Sequence, residues 1–194
     1  IFMSKWSIFF VLLVTSFIVI PNIGRESLWL DEIFSAAATL KSDSLIEVIS
    51  IEPSPPLYHI LLFYWEKLFG SSDIIIRLLS YIFTLLGLVL SYLLLNKYFT
   101  RRVANLFSIL SAFTPGVLLY SQEARSYALL YALASIASIH FFIFIYRIRE
   151  KSRIEIKLII QFFIIGVLLC YTHYFGSLLI FLLSLVAIIY SFNL

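Results

Sequence analysis

Charge is scarce in this sequence, and cysteine is almost absent. Charged residues make up only 13% of the 194 residues, whereas 62% are hydrophobic and the mean hydropathy is +1.03. Soluble domains are only about 45–50% apolar, so this composition excludes an ordinary soluble protein. The single cysteine, Cys170, excludes an intrachain disulfide and a cysteine-based metal site. Each of the few ionisable groups therefore needs a specific reason to be present.

Six apolar runs account for most of the sequence. A bilayer core of about 30 Å is spanned by about 20 helical residues. We therefore expect an all-α polytopic membrane bundle with about six transmembrane helices. The chain starts at Ile1 and ends inside an apolar run, which indicates that residues 1–194 are one module of a longer protein. The expected spans are about Trp6–Ile20, Ile74–Leu95, Val103–Tyr120, Tyr127–Tyr146, Leu158–Tyr171 and Phe175–Tyr190.

Basic and acidic residues separate between alternate loops. Nine of the fourteen basic residues fall on one predicted side: Lys5, Lys97, Arg101, Arg102, Arg147, Arg149, Lys151, Arg153 and Lys157. Nine of the eleven acidic residues fall on the other: Glu26, Asp31, Glu32, Asp43, Glu47, Glu52, Glu66, Asp73 and Glu123. By the positive-inside rule, the N-terminus is cytoplasmic and the loop of about residues 22–73 faces outward. The plasma (inner) membrane is the expected location.

The outward loop contains signals for short helices. Asp31 is predicted to cap a helix over about Glu32–Lys41, since its carboxylate can accept the free N–H groups of the first turn. Ser44 and Glu47 have the spacing of a capping box and predict a second short helix. The apolar segment Leu57–Phe69 is too short to span a bilayer, so we expect it to lie at the interface.

Two adjacent carboxylates, Asp31 and Glu32, are the first candidates for chemistry. Neighbours on a helix point about 100° apart, so the two are not expected to share one role. The positive end of a helix favours an ionised Asp31, and an outward carboxylate can accept a proton from a hydroxyl nucleophile. The alternative is that Asp31 only caps its helix.

Two arginines on the outward side are candidates for binding a phosphate. The loop Tyr120–Tyr127 places Arg125 beside Gln122 and Glu123, and a guanidinium can donate two hydrogen bonds to a phosphate. Glu123 and Arg125 could instead only cap a tight turn. Arg77 is the second candidate cation. In the alternative interpretation, it only forms an ion pair with Asp73, four residues earlier.

Glu52 and the outer turn at His173-Tyr174 are weaker candidates. Glu52 precedes a proline-rich turn and could bind a cation or a sugar hydroxyl, or simply be a solvated loop residue. His173 could bind a metal, a phosphate or a sugar, and a structural histidine at the interface is an equal alternative. No His/Glu spacing in the sequence is a specific metal signature.

Four motifs resemble one enzyme family. They are Leu28–Glu32, Pro55–Tyr58 with Arg77–Ser80, Tyr120–Tyr127, and Tyr171–Gly176. In order and spacing they resemble the membrane glycosyltransferases of the dolichyl-phosphate-mannose protein mannosyltransferase type, whose bacterial relatives include the lipid A aminoarabinose transferase (glycosyltransferase family 39-like). Many relatives carry His or Lys where this chain has Ser54, and family members are much longer.

The resemblance implies a GT-C fold and inverting transfer of a sugar from a polyprenyl-phosphate donor to a protein or to a lipid or glycan acceptor. It implies that Asp31 is the catalytic base. A divalent metal is left open, with Glu52 and His173 as weak ligand candidates, and no nucleic acid partner is expected. The rival hypotheses are a transporter or flippase of lipid-linked sugars and a non-catalytic scaffold. The expected substrate-binding residues are Glu32, Glu52, Arg77, Gln122, Glu123, Arg125, Tyr127, His173 and Tyr174.

Overall fold

The computed structural model describes residues 7–51 and 53–192, and within these residues every regular element is an α-helix. The all-α prediction is therefore confirmed. The helices are α1 (Ser7–Val19), α2 (Leu30–Leu40), α3 (Leu45–Ile51), α4 (Leu57–Phe69), α5 (Asp73–Tyr98), α6 (Arg101–Ala112), α7 (Pro115–Tyr120), α8 (Tyr127–Arg149), α9 (Ile156–Cys170) and α10 (Tyr174–Phe192).

The bundle is built around α5, against which α6 and α8 pack most extensively. α5 and α8 approach most closely at Gly87, where a Cβ atom would lie 2.9 Å from the Cα atom of Ala132. One buried apolar cluster around Tyr58, Leu62 and Ile76 joins α4 to α5. A second, around Leu95 and Ile143, joins α5 to α8 at the opposite end of α5.

The two ends of the bundle differ in charge. At the end we call the acidic end, the start of α5 meets α2 and the loop before α8, and Tyr171 after α9 accepts a hydrogen bond from the Leu57 N–H (2.8 Å). At the opposite, basic end, the Phe99 and Tyr146 rings lie 6.3 Å apart, and Arg147 pairs with Glu155 at 3.8 Å. The loops at each end are the ones that the distribution of acidic and basic residues in the sequence predicted to lie on the same side.

Three helices of the described residues are long and apolar enough to cross a membrane, rather than the six predicted. They are Asp73–Tyr98, Tyr127–Arg149 and Tyr174–Ser191. Two further predicted spans are helices that run between the same two ends but are shorter, Ser7–Val19 and Ile156–Cys170. At 1.5 Å per residue they are only about 20 Å long.

The remaining predicted span, Val103–Tyr120, is not one helix. α6 ends at Ala112 and α7 begins at Pro115, with Thr114 extended between them (φ −67°, ψ 122°). Proline lacks an N–H and disfavours helical backbone at the preceding residue, so it ends one helix and suits the first position of the next. The prediction of a continuous span is therefore wrong.

The short helices of the loop between α1 and α5 are close to the predictions. α3 begins after Ser44, whose hydroxyl accepts the Glu47 N–H (3.4 Å), and α4 has the predicted bounds. The predicted cap of α2 is wrong. Trp29 is the N-cap residue, and its N–H donates to the Glu32 carboxylate (2.9 Å), so Asp31 lies in the first turn instead.

Candidate functional site

A buried ion pair between Glu32 and Arg77 organises the acidic end. Arg77 Nε donates to Glu32 Oε1 (2.8 Å) and Nη2 donates to Oε2 (2.7 Å), a bidentate pair whose side chains are only 1% and 3% exposed. Glu32 also accepts the backbone N–H groups of Trp29 (2.9 Å) and Ala124 (2.7 Å). One carboxylate therefore joins α2, α5 and the loop before α8.

Burial on its own would raise the pKa of Glu32. The hydrogen bonds from Arg77, Ala124 and Trp29 outweigh this effect and hold the pKa below its ordinary value. The carboxylate is thus an ionised structural anion with four hydrogen bonds from the protein.

Arg77 has no N–H left for a ligand in this arrangement. Besides the two bonds to Glu32, Nη1 donates to the carbonyls of Ile23 (3.0 Å) and Glu26 (2.7 Å), and Nη2 donates to that of Ser27 (3.1 Å). A guanidinium has five N–H groups, and all five are used. Its ion-pair partner is Glu32 rather than Asp73, and we assign both residues to holding the site together rather than to binding a phosphate.

Asp31 and Arg125 face each other above this pair. The Asp31 side chain is 72% exposed, and its Oδ2 lies 3.8 Å from Arg125 Nη2. Arg125 Nη1 donates to the Asp31 carbonyl (3.1 Å) and to the Ser35 hydroxyl (3.3 Å). Arg125 Nε is buried without a hydrogen-bond partner. Among the described residues, Arg125 Nη2 makes only the 3.8 Å ion pair with Asp31, which is too long for a hydrogen bond, so Arg125, unlike Arg77, keeps donor capacity for a ligand.

A cavity of about 440 Å³ contains these groups, and we call it the Asp31 cavity. Its polar lining comes from Asp31, Glu32, Glu123 and Arg125. Trp29, Leu30, Leu119 and Tyr127 supply an apolar rim. The cavity thus combines an accessible carboxylate, a cation with unused N–H groups and aromatic surface.

A second cavity, of about 400 Å³, adjoins the first, and we call it the Glu26 cavity. The two share Trp29, Leu119 and Glu123 as a partition. The other lining residues of the second cavity are Asn22, Arg25, Glu26, Arg77 and Gln122. Burial, followed by repulsion from Glu32, raises the pKa of Glu123, so its carboxyl group holds a proton to higher pH than an exposed glutamate.

A row of rings continues from the Asp31 cavity. Tyr127 packs between Tyr120 (4.5 Å between ring centroids) and His173 (5.3 Å), and His173 stacks on Phe175 (5.1 Å). Burial, with the nearby Arg125 charge, lowers the pKa of His173, which favours the neutral imidazole. Tyr174 points elsewhere, donating its hydroxyl to the Pro53 carbonyl (2.9 Å). His173 packs against Tyr127, and neither His173 nor Tyr174 lines the Asp31 cavity.

The structure offers no three-residue metal site among the residues it describes, since no three His, Cys, Asp or Glu side chains of 7–51 and 53–192 cluster suitably. The predicted Glu52 contact lies outside the described residues. The metal hypothesis based on Glu52 and His173 stays a prediction.

Sequence reasoning missed two residues that position Arg125. Ser35 accepts from Arg125 and donates to the Asp31 carbonyl (3.1 Å), and its sequence signal is its place one helical turn after Asp31. Ser80 of α5 donates to the Arg125 carbonyl (3.3 Å) and is hydrogen-bonded to Tyr58 (3.0 Å). Ser80 is 45 residues away from Arg125, so no local pattern could reveal this contact.

No protein-family profile, curated protein or solved structure matches this chain.

Proposed function

We propose that this chain is a GT-C-type membrane glycosyltransferase, or a module of one, that transfers a sugar from a polyprenyl-phosphate donor to an acceptor hydroxyl. The observation that carries the proposal is the Asp31 cavity, where an exposed carboxylate and an incompletely bonded guanidinium lie within 3.8 Å. A sugar phosphate needs both: a base for the incoming hydroxyl and a cation for the departing phosphate.

In the proposed step, the acceptor oxygen attacks the anomeric carbon from the face opposite the lipid phosphate. The bond from that carbon to the phosphate oxygen breaks, and its electron pair leaves with the polyprenyl phosphate. Asp31 takes the proton of the acceptor hydroxyl, and Arg125 donates N–H groups to the phosphate as its charge increases. The configuration at the anomeric carbon is inverted.

The walls of the cavity suit a sugar ring. Trp29 is 63% exposed and Tyr127 also lines the cavity, so both offer an apolar face for stacking. Glu123 has a carboxyl group with a raised pKa, which suits a hydrogen bond to a sugar hydroxyl. The Glu26 cavity on the other side of Trp29 and Glu123 is the proposed approach for the acceptor, which is a protein or a lipid or glycan.

The proposed location is the plasma (inner) membrane, and the proposed orientation has the acidic end of the bundle outward. The helices that run between the two ends then cross the bilayer, and the membrane thins locally around the shorter ones. The three long apolar helices and the segregated charges support this topology.

Replacing the proposed base tests the function. Asp31→Asn keeps the shape of the side chain but removes the base, so transfer should fall by about 10²–10⁴-fold. The assay is transfer of radiolabelled sugar from a panel of polyprenyl-phosphate hexoses and pentoses to membrane acceptors, with the longest available form of the protein in proteoliposomes. Asp43→Asn is the matched control, because Asp43 is an exposed acid outside both cavities.

Replacing the proposed phosphate ligand provides an independent test. Arg125→Gln should lower turnover by about 10²–10³-fold, whereas Arg102→Gln at the basic end should leave it unchanged. Undiminished transfer by both Asp31→Asn and Arg125→Gln would refute the assignment. Movement of labelled lipid across the vesicle membrane without any glycosylated product would instead identify a flippase.

A further inference from the structure

Two buried serines connect α4 to the proposed catalytic pair. Ser35 of α2 and Ser80 of α5 are both fully buried, and each is hydrogen-bonded to one of two consecutive residues of α4. His59 Nε2 lies 3.4 Å from Ser35 Oγ. The Tyr58 hydroxyl lies 3.0 Å from Ser80 Oγ. Because Tyr58 and His59 are buried as well, solvent does not compete for these hydrogen bonds.

The other bonds of Ser35 identify the donor in its contact with α4. A serine hydroxyl has one proton to donate and two lone pairs that accept. Ser35 donates its proton to the Asp31 carbonyl (3.1 Å). It therefore accepts at both lone pairs, from Arg125 Nη1 (3.3 Å) and from His59 Nε2. The hydrogen-bonding capacity of Ser35 is then fully used, and the contact requires a proton on His59 Nε2.

Ser80 is bonded in the same pattern. It donates its proton to the backbone carbonyl of Arg125 (3.3 Å), so the Tyr58 hydroxyl is the donor to Ser80. Burial raises the pKa of Tyr58, which therefore keeps the proton that it donates. We call the two arrangements the Ser35 bridge and the Ser80 bridge. The first ends on the guanidinium of Arg125 and the second on its backbone.

Packing fixes α4 against the same part of the fold. Tyr58 belongs to the same buried apolar cluster as Ile76 of α5 and Ala124, the residue before Arg125. The rings of Tyr58 and His59 meet edge to face, with 5.6 Å between their centroids. A displacement of α4 would therefore shift both bridges together, and with them the side chain and the backbone of Arg125.

We propose that Tyr58 and His59 are positioning residues of the transferase, which hold Arg125 in place beside Asp31 through the two serine bridges. Arg125 Nη2 lies 3.8 Å from Asp31 Oδ2, beyond hydrogen-bond distance, so this ion pair alone does not fix the guanidinium. The inference rests on the proposed function and adds to it two residues that do not line the Asp31 cavity.

Removing the donor of the Ser35 bridge tests the role of His59. His59→Leu removes the N–H group, whereas His59→Gln keeps a side-chain N–H donor of similar reach. A misplaced Arg125 would stabilise the departing phosphate less well, so His59→Leu should lower kcat about 10–100-fold and change KM for the polyprenyl-phosphate sugar much less. His59→Gln should recover most of the lost kcat.

The measurement is the transfer assay in proteoliposomes, with the longest available form of the protein. His140→Leu is the matched control, because His140 is also buried but bonds to the Ile136 carbonyl of its own helix (2.8 Å). This variant should transfer sugar at the wild-type rate. Equal losses of kcat in His59→Leu and His59→Gln would show that packing of the imidazole, rather than its N–H group, is what matters, and would overturn the role of His59.

The Ser80 bridge provides a second variant that preserves packing. Tyr58→Phe removes only the hydroxyl and should lower kcat about tenfold, again with little change in KM. Tyr64→Phe is its control, since Tyr64 lies on α4 but is 51% exposed. Wild-type turnover by Tyr58→Phe would remove Tyr58 from the proposal even if His59→Leu folds poorly.

A double variant shows whether His59 acts through Arg125. In an Arg125→Gln background the guanidinium is already absent, so adding His59→Leu should lower transfer no further. Losses that multiply in the double variant would mean that His59 acts on another part of the protein, and the inference would be wrong.

Failure of the proposed function gives a different result. If Arg125→Gln transfers sugar at the wild-type rate, or if the wild type transfers none, the proposed function fails and this inference fails with it. If Arg125→Gln is slow but His59→Leu and Tyr58→Phe both transfer at the wild-type rate, only the inference about α4 fails.

Discussion

Asp31 and Glu32 are adjacent in the sequence but lie in opposite environments. The Glu32 side chain is 1% exposed and accepts four hydrogen bonds, whereas that of Asp31 is 72% exposed and faces Arg125 across an open cavity. Consecutive helical residues point about 100° apart, so a single turn of α2 can place one carboxylate in the core and the next in the cavity. Replacing each carboxylate by its amide should therefore affect the stability of the protein differently.

Neutralising Glu32 should destabilise the protein, because it leaves the buried Arg77 without its counter-ion. Breaking a buried ion pair from one side typically costs about 3–5 kcal/mol. We expect Glu32→Gln to lower the thermal unfolding midpoint in detergent markedly, and Asp31→Asn to leave it close to that of the wild type. Equal midpoints for the Glu32→Gln variant and the wild type would contradict the structural role of Glu32.

Ionisation of Glu66 should make the stability of the protein depend on pH. Both of its carboxylate oxygens are buried without a hydrogen-bond partner, and burial raises the pKa of this group to about 6 from an ordinary 4.5. The folded state therefore holds the proton more tightly than the unfolded state. Stability should fall as the pH rises from about 4.5 through 6, by up to about 2 kcal/mol from this group.

The measurement compares Glu66→Gln with the wild type at two pH values. The variant cannot ionise, so it should be more stable than the wild type at pH 8 and nearly equal to it at about pH 4.5. Urea or thermal unfolding in the same detergent gives the difference. A stabilisation of the same size at both pH values would show that packing rather than ionisation causes it.

At the scale of helices, α5 and α8 depend on a close approach of their backbones. A Cβ atom at Gly87 would lie 2.9 Å from both the Cα and the Cβ atom of Ala132, and neither atom can move without shifting α8. Small residues allow membrane helices to pack closely in this way. The crossing at Gly87 also fixes α5 relative to α8, and hence Arg77 relative to Arg125.

Gly87→Val should therefore destabilise the bundle, by about 1–3 kcal/mol for an overpacked interface. Gly166→Ala in α9 is the control, since a Cβ atom there would meet Ile180 at an ordinary 3.5 Å. Thermal unfolding midpoints of the two variants check the prediction. A Gly87→Val variant as stable as the Gly166→Ala variant would show that the α5–α8 crossing can readjust.

For the whole molecule, the separation of acidic and basic loops between two opposite ends of the bundle predicts a membrane orientation. Asp43 belongs to the acidic end and Glu150 to the basic end, and both are exposed. In a Cys170→Ser background, Asp43→Cys should react with an impermeant maleimide on intact cells. Glu150→Cys should react only after the membrane is permeabilised. Labelling of both from the same side would contradict the topology.

Local signals in the sequence predicted the short helices well. Ser44 and Glu47 predicted the start of α3, and the apolar segment Leu57–Phe69 has the bounds of α4, because capping and hydrophobicity act within a few residues. The cap of α2 was predicted at the wrong residue because Trp29 has no side-chain acceptor, and its N–H is satisfied by Glu32 instead. Pro115 breaks the predicted span Val103–Tyr120 near its outer end. The mean hydropathy of the segment does not register this break, because proline acts on the backbone of one or two residues.

The sequence alone determined the helical class, the apolar character and the separation of charge between two sets of loops, since composition and periodicity express these properties directly. Only the tertiary structure decided which polar residues have unused hydrogen-bonding capacity. Arg77 and Arg125 look alike as outward arginines, yet Arg77 is bonded through all five N–H groups and Arg125 is not. The partners of both lie 45 to 94 residues away in sequence, as with Glu32 for Arg77 (45 residues) and Asp31 for Arg125 (94 residues). Contacts over such distances depend on the packing of the whole bundle and have no local pattern.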